Sequence, residues 1–332
     1  MTRGILKASG LGLLISIMLG ASAYAQTIVK FGTAHPPNNP VTAQFRAWAE
    51  KVNAELTDAK IQLVESPAVA TLGQMLNRID QGVIDIGFEL QSYYPGKFNK
   101  TSVSGLPNMF DNAAAGSVAL WDLYEAGDIA DEYKDYVILG LYMFPNADLM
   151  TVKPITAENP VSGRKLASTS ASRDQTSAAL GASPVSIKIA EWYQATQRGV
   201  IDGMVQSTSA VPPFSLQEVV KNVLRFPLGG NAGMVVMSKA KFDSLSPKAK
   251  EIIKKHSGRN FSRVLGEHTE TLAENGSKMI VKAGGTVRQA TPEEAKTYAE
   301  AAAKVGADWI KSHPDSAALV NRYKELAQKA AR

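Results

Sequence analysis

Hydroxyl and amide side chains cluster at the ends of two predicted strands near the middle of the chain. They are Ser168, Thr169 and Ser170 at the end of a strand predicted over 164–169, and Gln206, Ser207 and Thr208 after a strand predicted over 200–204. Short helices predicted over 171–180 and 191–198 alternate with the strands of this region, which is typical of a parallel sheet. Ligands bind beyond the carboxyl ends of the strands in such sheets. We therefore expect both sets of side chains to face one crevice and to hydrogen-bond a molecule held there.

Charged and aromatic side chains near the predicted strand ends leave the charge of that molecule open. Arg173, together with backbone N–H groups at the start of the helix predicted over 171–180, could hold a carboxylate. A carboxylate of the protein beside aromatic rings could instead hold an ammonium group, through ion pairing and cation–π contact. The candidates for that arrangement are Glu89, Asp148, Asp174, Tyr93, Tyr94 and Trp192.

The residue patterns of common catalytic and metal sites are missing. The chain has no cysteine, which excludes disulfides, thiol catalysis and cysteine-ligated metals. Its four histidines form no HxxxH or HExxH spacing, and no GxSxG, phosphate-loop or dinucleotide motif occurs. His35 stands apart, because it lies in a proline-rich loop directly after a strand predicted over 27–33. The sequence therefore predicts no metal site, no cofactor and no enzyme activity.

The first 25 residues have the features of an export signal. Two basic residues precede an apolar run over 11–19, which is too short to span a membrane, and Ala23 and Ala25 fit a cleavage site before Gln26. Removing the two basic residues would lower the net charge from +5 to 5 − 2 = +3. This mild charge gives no reason to expect a nucleic acid or a membrane surface as a partner.

The order of strands and helices predicts an α/β protein with two lobes, and 332 residues suffice for two domains. A strand predicted over 136–143 is long enough to run through both lobes. One long helix is predicted from Ser246, its cap, and Pro247, its first residue, to about 284. The predicted division is a signal over 1–25, lobe I over 26–150 and about 228–250, lobe II over 151–227 and about 285–332, and a bridging helix over about 246–284.

Four segments resemble the C4-dicarboxylate-type (DctP) solute-binding proteins of TRAP transporters. They are GRKL over 163–166, LGASPV over 180–185, EWYQA over 191–195 and GVIDG over 199–203. Shorter matches, such as LPNMF over 106–110, extend the resemblance over nearly all of the chain after the signal. The resemblance implies a type II-like periplasmic binding protein fold, with crossing strands and a long helix that spans both lobes.

One departure from the family pattern concerns the ligand. In that family, an arginine at the end of a GxKIR segment holds the ligand carboxylate with its planar guanidinium. The matching residue here is Ala167, and the position of a second arginine in some relatives is about Ala147. Arg164 is expected to point to the other face of the strand. A simple dicarboxylate should therefore bind poorly, and the lost positive charge slightly favours a cationic or neutral aromatic ligand over an acid held by Arg173.

The resemblance implies a periplasmic receptor that captures a small organic solute between its lobes and delivers it to TRAP membrane subunits, acting as a monomer. A receptor of an ATP-driven importer and an exported two-domain enzyme are the alternatives. The resemblance also implies ligand contacts in the loop of His35 and at Gln206, which matches a family asparagine. The full set of expected ligand contacts is His35, Glu89, Tyr93, Asp148, Met150, Ser168, Thr169, Ser170, Arg173, Trp192, Gln206, Phe214 and Asn231.

Overall fold

The computed structural model describes residues 26–156, 158 and 160–332, so the predicted export signal lies outside the described residues. The strands of this part are β1 (Thr27–Thr33), β2 (Ala59–Glu65), β3 (Ile86–Leu90), β4 (Tyr136–Phe144), β5 (Asp148–Thr151), β6 (Lys165–Ala167), β7 (Ser183–Val185), β8 (Gly203–Gln206), β9 (Asn222–Arg225), β10 (Asn231–Ser238) and β11 (Thr286–Gln289). The helices are α1 (Ala43–Glu55), α2 (Met75–Asp80), α3 (Ala113–Glu125), α4 (Ala171–Ala179), α5 (Trp192–Gln197), α6 (Val211–Phe214), α7 (Lys239–Ser244), α8 (Pro247–Lys255), α9 (Arg259–Lys282), α10 (Pro292–Ser312) and α11 (Ala318–Ala330). None of them is both long enough and apolar enough to cross a bilayer.

The strands form two sheets, one in each lobe. The sheet of lobe I has the order β2-β1-β3-β10-β4, in which β10 runs antiparallel to both of its neighbours. The sheet of lobe II has the order β11-β9-β5-β8-β6-β7, in which β5 runs antiparallel to β8 and β9. Helices pack on both sheets, and buried apolar side chains fill the space between them. The predicted two-lobed α/β fold is confirmed.

Two short segments carry the chain between the sheets. Residues 145–147 lead from β4 to β5, and residues 226–230 lead back from β9 to β10. The two segments are hydrogen-bonded to each other, because Ala147 N–H donates to Gly229 O at 2.9 Å and Leu228 N–H donates to Ala147 O at 3.1 Å. The lobes are thus joined by a paired, two-stranded crossing rather than by two separate linkers.

The single helix predicted over about 246–284 is two helices in the structure. Ser246 caps α8 and Pro247 is its first residue, as predicted. The chain then leaves the helix, and Gly258 adopts φ +85° and ψ −150°, a conformation open mainly to glycine. Its N–H donates to Leu139 O in β4 at 2.7 Å. The break between the two helices thus contains a glycine that is hydrogen-bonded to a distant strand.

Helix α9 contacts both lobes through two glycines ten residues apart. A Cβ at Gly266 would lie 2.6 Å from Ala113 O at the start of α3 in lobe I. A Cβ at Gly276 would lie against Thr208 O of lobe II, at 1.9 Å. Because neither position leaves room for a side chain, the helix axis approaches the backbone of both lobes closely.

The C-terminal helices differ from the predicted assignment of 285–332 to lobe II. Helix α10 contacts α4 of lobe II, but Trp309 near its end donates from Nε1 to Ser102 Oγ of lobe I at 2.8 Å. Helix α11 packs on α3, where the Tyr323 hydroxyl donates to Gly116 O at 2.9 Å. Tyr298 near the start of α10 packs in the core of lobe II, whereas the end of α10 and helix α11 bury apolar side chains in the core of lobe I.

Candidate functional site

A cavity of about 50 Å³ lies between the lobes, where strand ends of both sheets meet; we call it the interlobe cavity. Its position matches the place where open α/β sheets bind ligands, beyond the carboxyl ends of strands. From lobe I it is lined by His35, Val41, Leu72, Phe88, Leu90, Phe144 and Asn231, and from lobe II by Ile189, Gln206, Ser209, Ala210, Pro213 and Phe214.

Most of the cavity wall is apolar and much of it is aromatic. The His35 ring stacks on Phe88, with ring centroids 6.2 Å apart, and lies 6.5 Å from the ring of Phe214. Phe144 completes the aromatic surface. Flat rings of this kind pack well against an aromatic ligand in an offset or edge-on arrangement.

A polar cluster of Thr169, Arg173, Gln206 and Asn231 closes one end of the cavity. The Thr169 hydroxyl oxygen accepts from Asn231 Nδ2 at 3.1 Å, from Gln206 Nε2 at 3.3 Å and from Arg173 Nη1 at 3.4 Å. Asn231 begins β10 of lobe I, whereas the other three residues belong to lobe II. The cluster therefore exists only while the lobes lie against each other.

Arg173 lies behind this end of the cavity in the first turn of α4. Its side chain is fully buried, and its guanidinium donates to Gln206 Oε1 at 2.6 Å and twice to Gly229 O, at 3.0 and 3.3 Å. All of its hydrogen-bond acceptors are uncharged oxygens. Burial lowers the pKa of Arg173 to about 9, although Asp148 and Asp174 oppose this shift. An anion at the cluster would stabilise this buried cation.

Glu89 faces away from the cavity into lobe I. Its carboxylate accepts from Gly73 N–H at 2.6 Å, Leu90 N–H at 2.9 Å, the Tyr94 hydroxyl at 3.0 Å and Met75 N–H at 3.3 Å. Burial raises its pKa to about 7, against the effect of these donors. The group fixes the loop before α2 and offers no free oxygen to an ammonium ligand.

Asp148 is also buried and does not line the cavity. It follows the crossing segment over 145–147, and burial raises its pKa to about 7, although Arg225 and Arg173 lower it. Its charge acts on Arg173 rather than on the cavity. The structure thus brings neither of the two preferred ammonium-binding acids to the cavity wall.

The remaining expected contacts are divided between the cavity and the protein interior. His35, Gln206, Phe214 and Asn231 line the cavity. Met150 and Trp192 lie in the core of lobe II, where Trp192 Nε1 donates to Ile187 O at 3.0 Å. Tyr93 is half-buried and packs against the core of lobe I. Ser168 Oγ bonds Asp174 at 2.7 Å, and Ser170 borders a different cavity.

Of the apolar lining residues, the sequence predicted only Phe214, and the others were missed. These residues are Val41, Leu72, Phe88, Leu90, Phe144, Ile189, Ala210 and Pro213. An apolar residue at a strand end looks the same in sequence whether it packs in a core or faces a ligand. The one signal in the sequence that could have identified Phe88 and Leu90 as lining residues is their position, because both are adjacent to Glu89 at a predicted strand end.

A second cavity, of about 290 Å³, lies on the other side of Asn231. Its wall consists of loops over 91–105, the start of α4 and the end of α10, where His313 stacks on Trp309. The smaller interlobe cavity is the candidate site, since it combines strand ends with both Gln206 and Asn231 of the polar cluster. The part of the chain that the structure describes holds no group of three acidic or histidine side chains placed to bind a metal ion.

The sequence also matches a known family model, that of the bacterial extracellular solute-binding proteins of family 7 (DctP), over residues 31–312. The chain belongs to this family. A TRAP solute-binding protein from an unidentified marine microbe, described as specific for aromatic acid ligands and solved with metahydroxyphenylacetate, is 27% identical. That structure superimposes with a TM-score of 0.87 over 92% of this chain and 100% of its own.

Two further relatives are similar to this DctP protein. A TRAP solute-binding protein from Rhodoferax ferrireducens, solved with copurified benzoate, is 24% identical, with a TM-score of 0.86 over 92% of this chain and 99% of its own. A Comamonas testosteroni protein called outer membrane transporter protein TsaT is 24% identical over 78% of each chain. The family and the structural neighbours are solute receptors of TRAP transporters, and they favour neither the ATP-driven importer nor the enzyme alternative.

Proposed function

We propose that this DctP-family receptor binds an aromatic monocarboxylate in the interlobe cavity. The observation that carries the proposal is a fully buried guanidinium, Arg173, bonded to neutral acceptors directly behind the amide-lined end of an aromatic cavity. The carboxylate would lie at the polar cluster, where Thr169, Gln206 and Asn231 supply hydrogen bonds and Arg173 supplies the countercharge. The ring would lie among the aromatic side chains of the wall.

The relative that is described as specific for aromatic acids supports this ligand class, since it is 27% identical and shares the fold over nearly the whole chain. The amine alternative lacks a carboxylate at the cavity wall, because Glu89 is satisfied inside lobe I and Asp148 lies behind the lining. A simple dicarboxylate remains a poor fit, because its second charge would face an apolar wall. Ala167, fully buried in β6, supplies no charge to compensate.

The proposed receptor works outside the cytoplasm without catalysing a reaction. It would lose its export signal after Ala25, act as a monomer in the periplasm and deliver its ligand to TRAP membrane subunits. The interlobe cavity, at about 50 Å³, is well below the roughly 300 Å³ at which ligand pockets begin. Loading an aromatic acid would therefore require the lobes to part about the crossing segments and to close again.

Titration calorimetry with benzoate, 3-hydroxybenzoate, succinate, malate and tyramine tests the proposal. We expect micromolar or tighter binding of an aromatic acid and no measurable binding of succinate, malate or tyramine. Micromolar binding of succinate would show that Ala167 does not abolish dicarboxylate recognition. Tight binding of tyramine with no binding of either aromatic acid would overturn the proposed ligand class.

A further inference from the structure

His35 is the polar exception in the apolar part of the interlobe cavity. It follows β1 in the proline-rich loop, and the side chain is 6% exposed. Its ring is held between Phe88 and Phe214 and therefore has a defined orientation. Neither ring nitrogen has a hydrogen-bond partner among the described residues, and Nδ1 is fully buried. Buried polar atoms of a protein are nearly always paired, so this imidazole calls for a partner.

The chemistry of that partner follows from the state of the imidazole. Burial lowers the pKa of His35 to about 4, and the opposing effect of Glu65 does not prevent this. The ring is therefore neutral at pH 7, with one nitrogen that donates and one that accepts. A neutral imidazole between phenyl rings can bond a hydroxyl group, which both donates and accepts, but it offers no charge to a second anion.

His35 borders the same cavity as Gln206 and Asn231 of the polar cluster. We propose that the ligand is an aromatic acid with a neutral hydrogen-bonding substituent, such as a hydroxyl group, meta or para to its acid group, and that His35 recognises this substituent. This inference rests on the proposed function, because it assumes that the acid group lies at the Arg173 end. It makes His35 the residue that selects among aromatic acids.

Calorimetry with a matched ligand series tests the inference. The series is benzoate, 3-hydroxybenzoate, 4-hydroxybenzoate, 3-methylbenzoate and isophthalate. We expect at least one of the two hydroxybenzoates to bind at least about tenfold tighter than benzoate and 3-methylbenzoate, because a site built to bond a hydroxyl group rejects the analogue that lacks it. Isophthalate, with a second carboxylate in place of the hydroxyl group, should not bind.

The variant His35→Phe removes both ring nitrogens but keeps a flat ring. Its preference for the hydroxylated acid, measured as the ratio of its own dissociation constants for benzoate and for the hydroxybenzoate, should fall to within about threefold. His35→Gln, which keeps a donor and an acceptor, should retain more of the preference than His35→Phe. His313→Phe is the matched control, since His313 borders the larger cavity, and it should keep the full preference.

The outcomes separate this inference from the proposed function. If benzoate and the hydroxybenzoates bind equally, or if the preference survives in His35→Phe, the inference is overturned and the proposed function stands. If His313→Phe rather than His35→Phe loses the preference, the ligand lies in the larger cavity, and both the inference and the proposed location of the ligand are overturned. If no aromatic acid binds, both proposals fall. If His35→Phe does not fold, the wild-type series and His35→Gln decide, because equal binding of all the acids would suffice to overturn the inference.

Discussion

The guanidinium of Arg173 and the amide of Gln206 meet at the closed end of the interlobe cavity, with Arg173 Nη1 donating to Gln206 Oε1 at 2.6 Å. Arginine can only donate, so this bond fixes which side of the Gln206 amide carries the oxygen. The Gln206 Nε2 group then points to the Thr169 hydroxyl at 3.3 Å. A single buried cation thereby orders the neutral groups that face the ligand space.

Replacement of Arg173 by glutamine should weaken the binding of aromatic acids. We expect the dissociation constant for 3-hydroxybenzoate to rise by about 10- to 100-fold, as for the loss of a charged hydrogen-bond partner worth about 1.5–3 kcal/mol. Calorimetry measures the affinity, and thermal unfolding without ligand measures the stability.

The matched control for this variant is Arg164→Gln. Arg164 is also buried and donates to the backbone oxygens of Pro160, Lys153 and Pro154, far from the cavity lining. This control should lose stability but keep its affinity for the acid. Wild-type affinity of Arg173→Gln would show that the ligand does not use this cation.

Replacement of Asp148 by asparagine should change the pH dependence of stability. Burial raises the pKa of Asp148 from 3.8 to about 7 in the folded protein. Such a carboxyl group contributes stability that is fully present below pH 3.8 and is lost as the pH rises through about 7. The free energy of unfolding of Asp148→Asn, relative to that of the wild type, should therefore rise between pH 4 and pH 8.

Denaturant unfolding at several pH values measures this difference. Asp243→Asn serves as the control, because Asp243 is an exposed carboxylate paired with Lys239 at 2.9 Å, and surface pairs contribute little. We expect no comparable rise for the control. A difference between Asp148→Asn and the wild type that is constant over this range would mean that Asp148 titrates normally in the folded protein.

Gly276→Ala should separate α9 from lobe II. The new Cβ would meet Thr208 O at 1.9 Å, and a backbone atom cannot give way cheaply. We expect a loss of about 1–3 kcal/mol in the free energy of unfolding, as for other overpacked interfaces. Gly306→Ala in α10 is the control, since no atom lies within 4 Å of its Cβ position, and it should gain up to about 1 kcal/mol through helix propensity. Equal stability of the two variants would contradict the close contact at Gly276.

Ligand binding should make the molecule more compact. Two lobes joined by a paired crossing are expected to hinge. Because the cavity of the closed structure is too small to load without opening, we expect the ligand-free protein in solution to spend much of its time with the lobes apart. Small-angle X-ray scattering should give a smaller radius of gyration with saturating 3-hydroxybenzoate than without it. Arg173→Gln at the same ligand concentration should show less of this change. An unchanged scattering curve for a wild-type sample with calorimetrically confirmed binding would argue against closure.

Local sequence signals predicted most of the fold. Strand β1 spans the predicted 27–33, and α4 lies within the predicted 171–180. Ser246 and Pro247 open α8 as expected. The break between α8 and α9 was not predictable in this way, because Gly258 is held by a hydrogen bond to a strand more than a hundred residues earlier.

The site was predicted less completely, for a physical reason. Positions at strand ends and at a helix start predicted a role for Thr169, Arg173 and Gln206, and the structure brings these three side chains together. Charge alone misdirected the choice of Glu89, since its partners are backbone N–H groups that no sequence pattern reveals. Whether an acidic side chain contacts a ligand or is hydrogen-bonded within the protein depends on contacts between segments that are distant in the sequence.

The bonds from Arg173 to Gly229 O have a mechanical consequence. Gly229 has φ +92° and accepts both bonds through its carbonyl oxygen. Because it belongs to the crossing segment over 226–230, it lies where backbone angles would change as the lobes move. An anion that attracts the guanidinium would compete with this carbonyl for the same N–H groups. A ligand in the interlobe cavity would then directly alter the stiffness of the crossing segment. Chemically different acids would therefore give different rates of lobe opening even when they bind equally tightly.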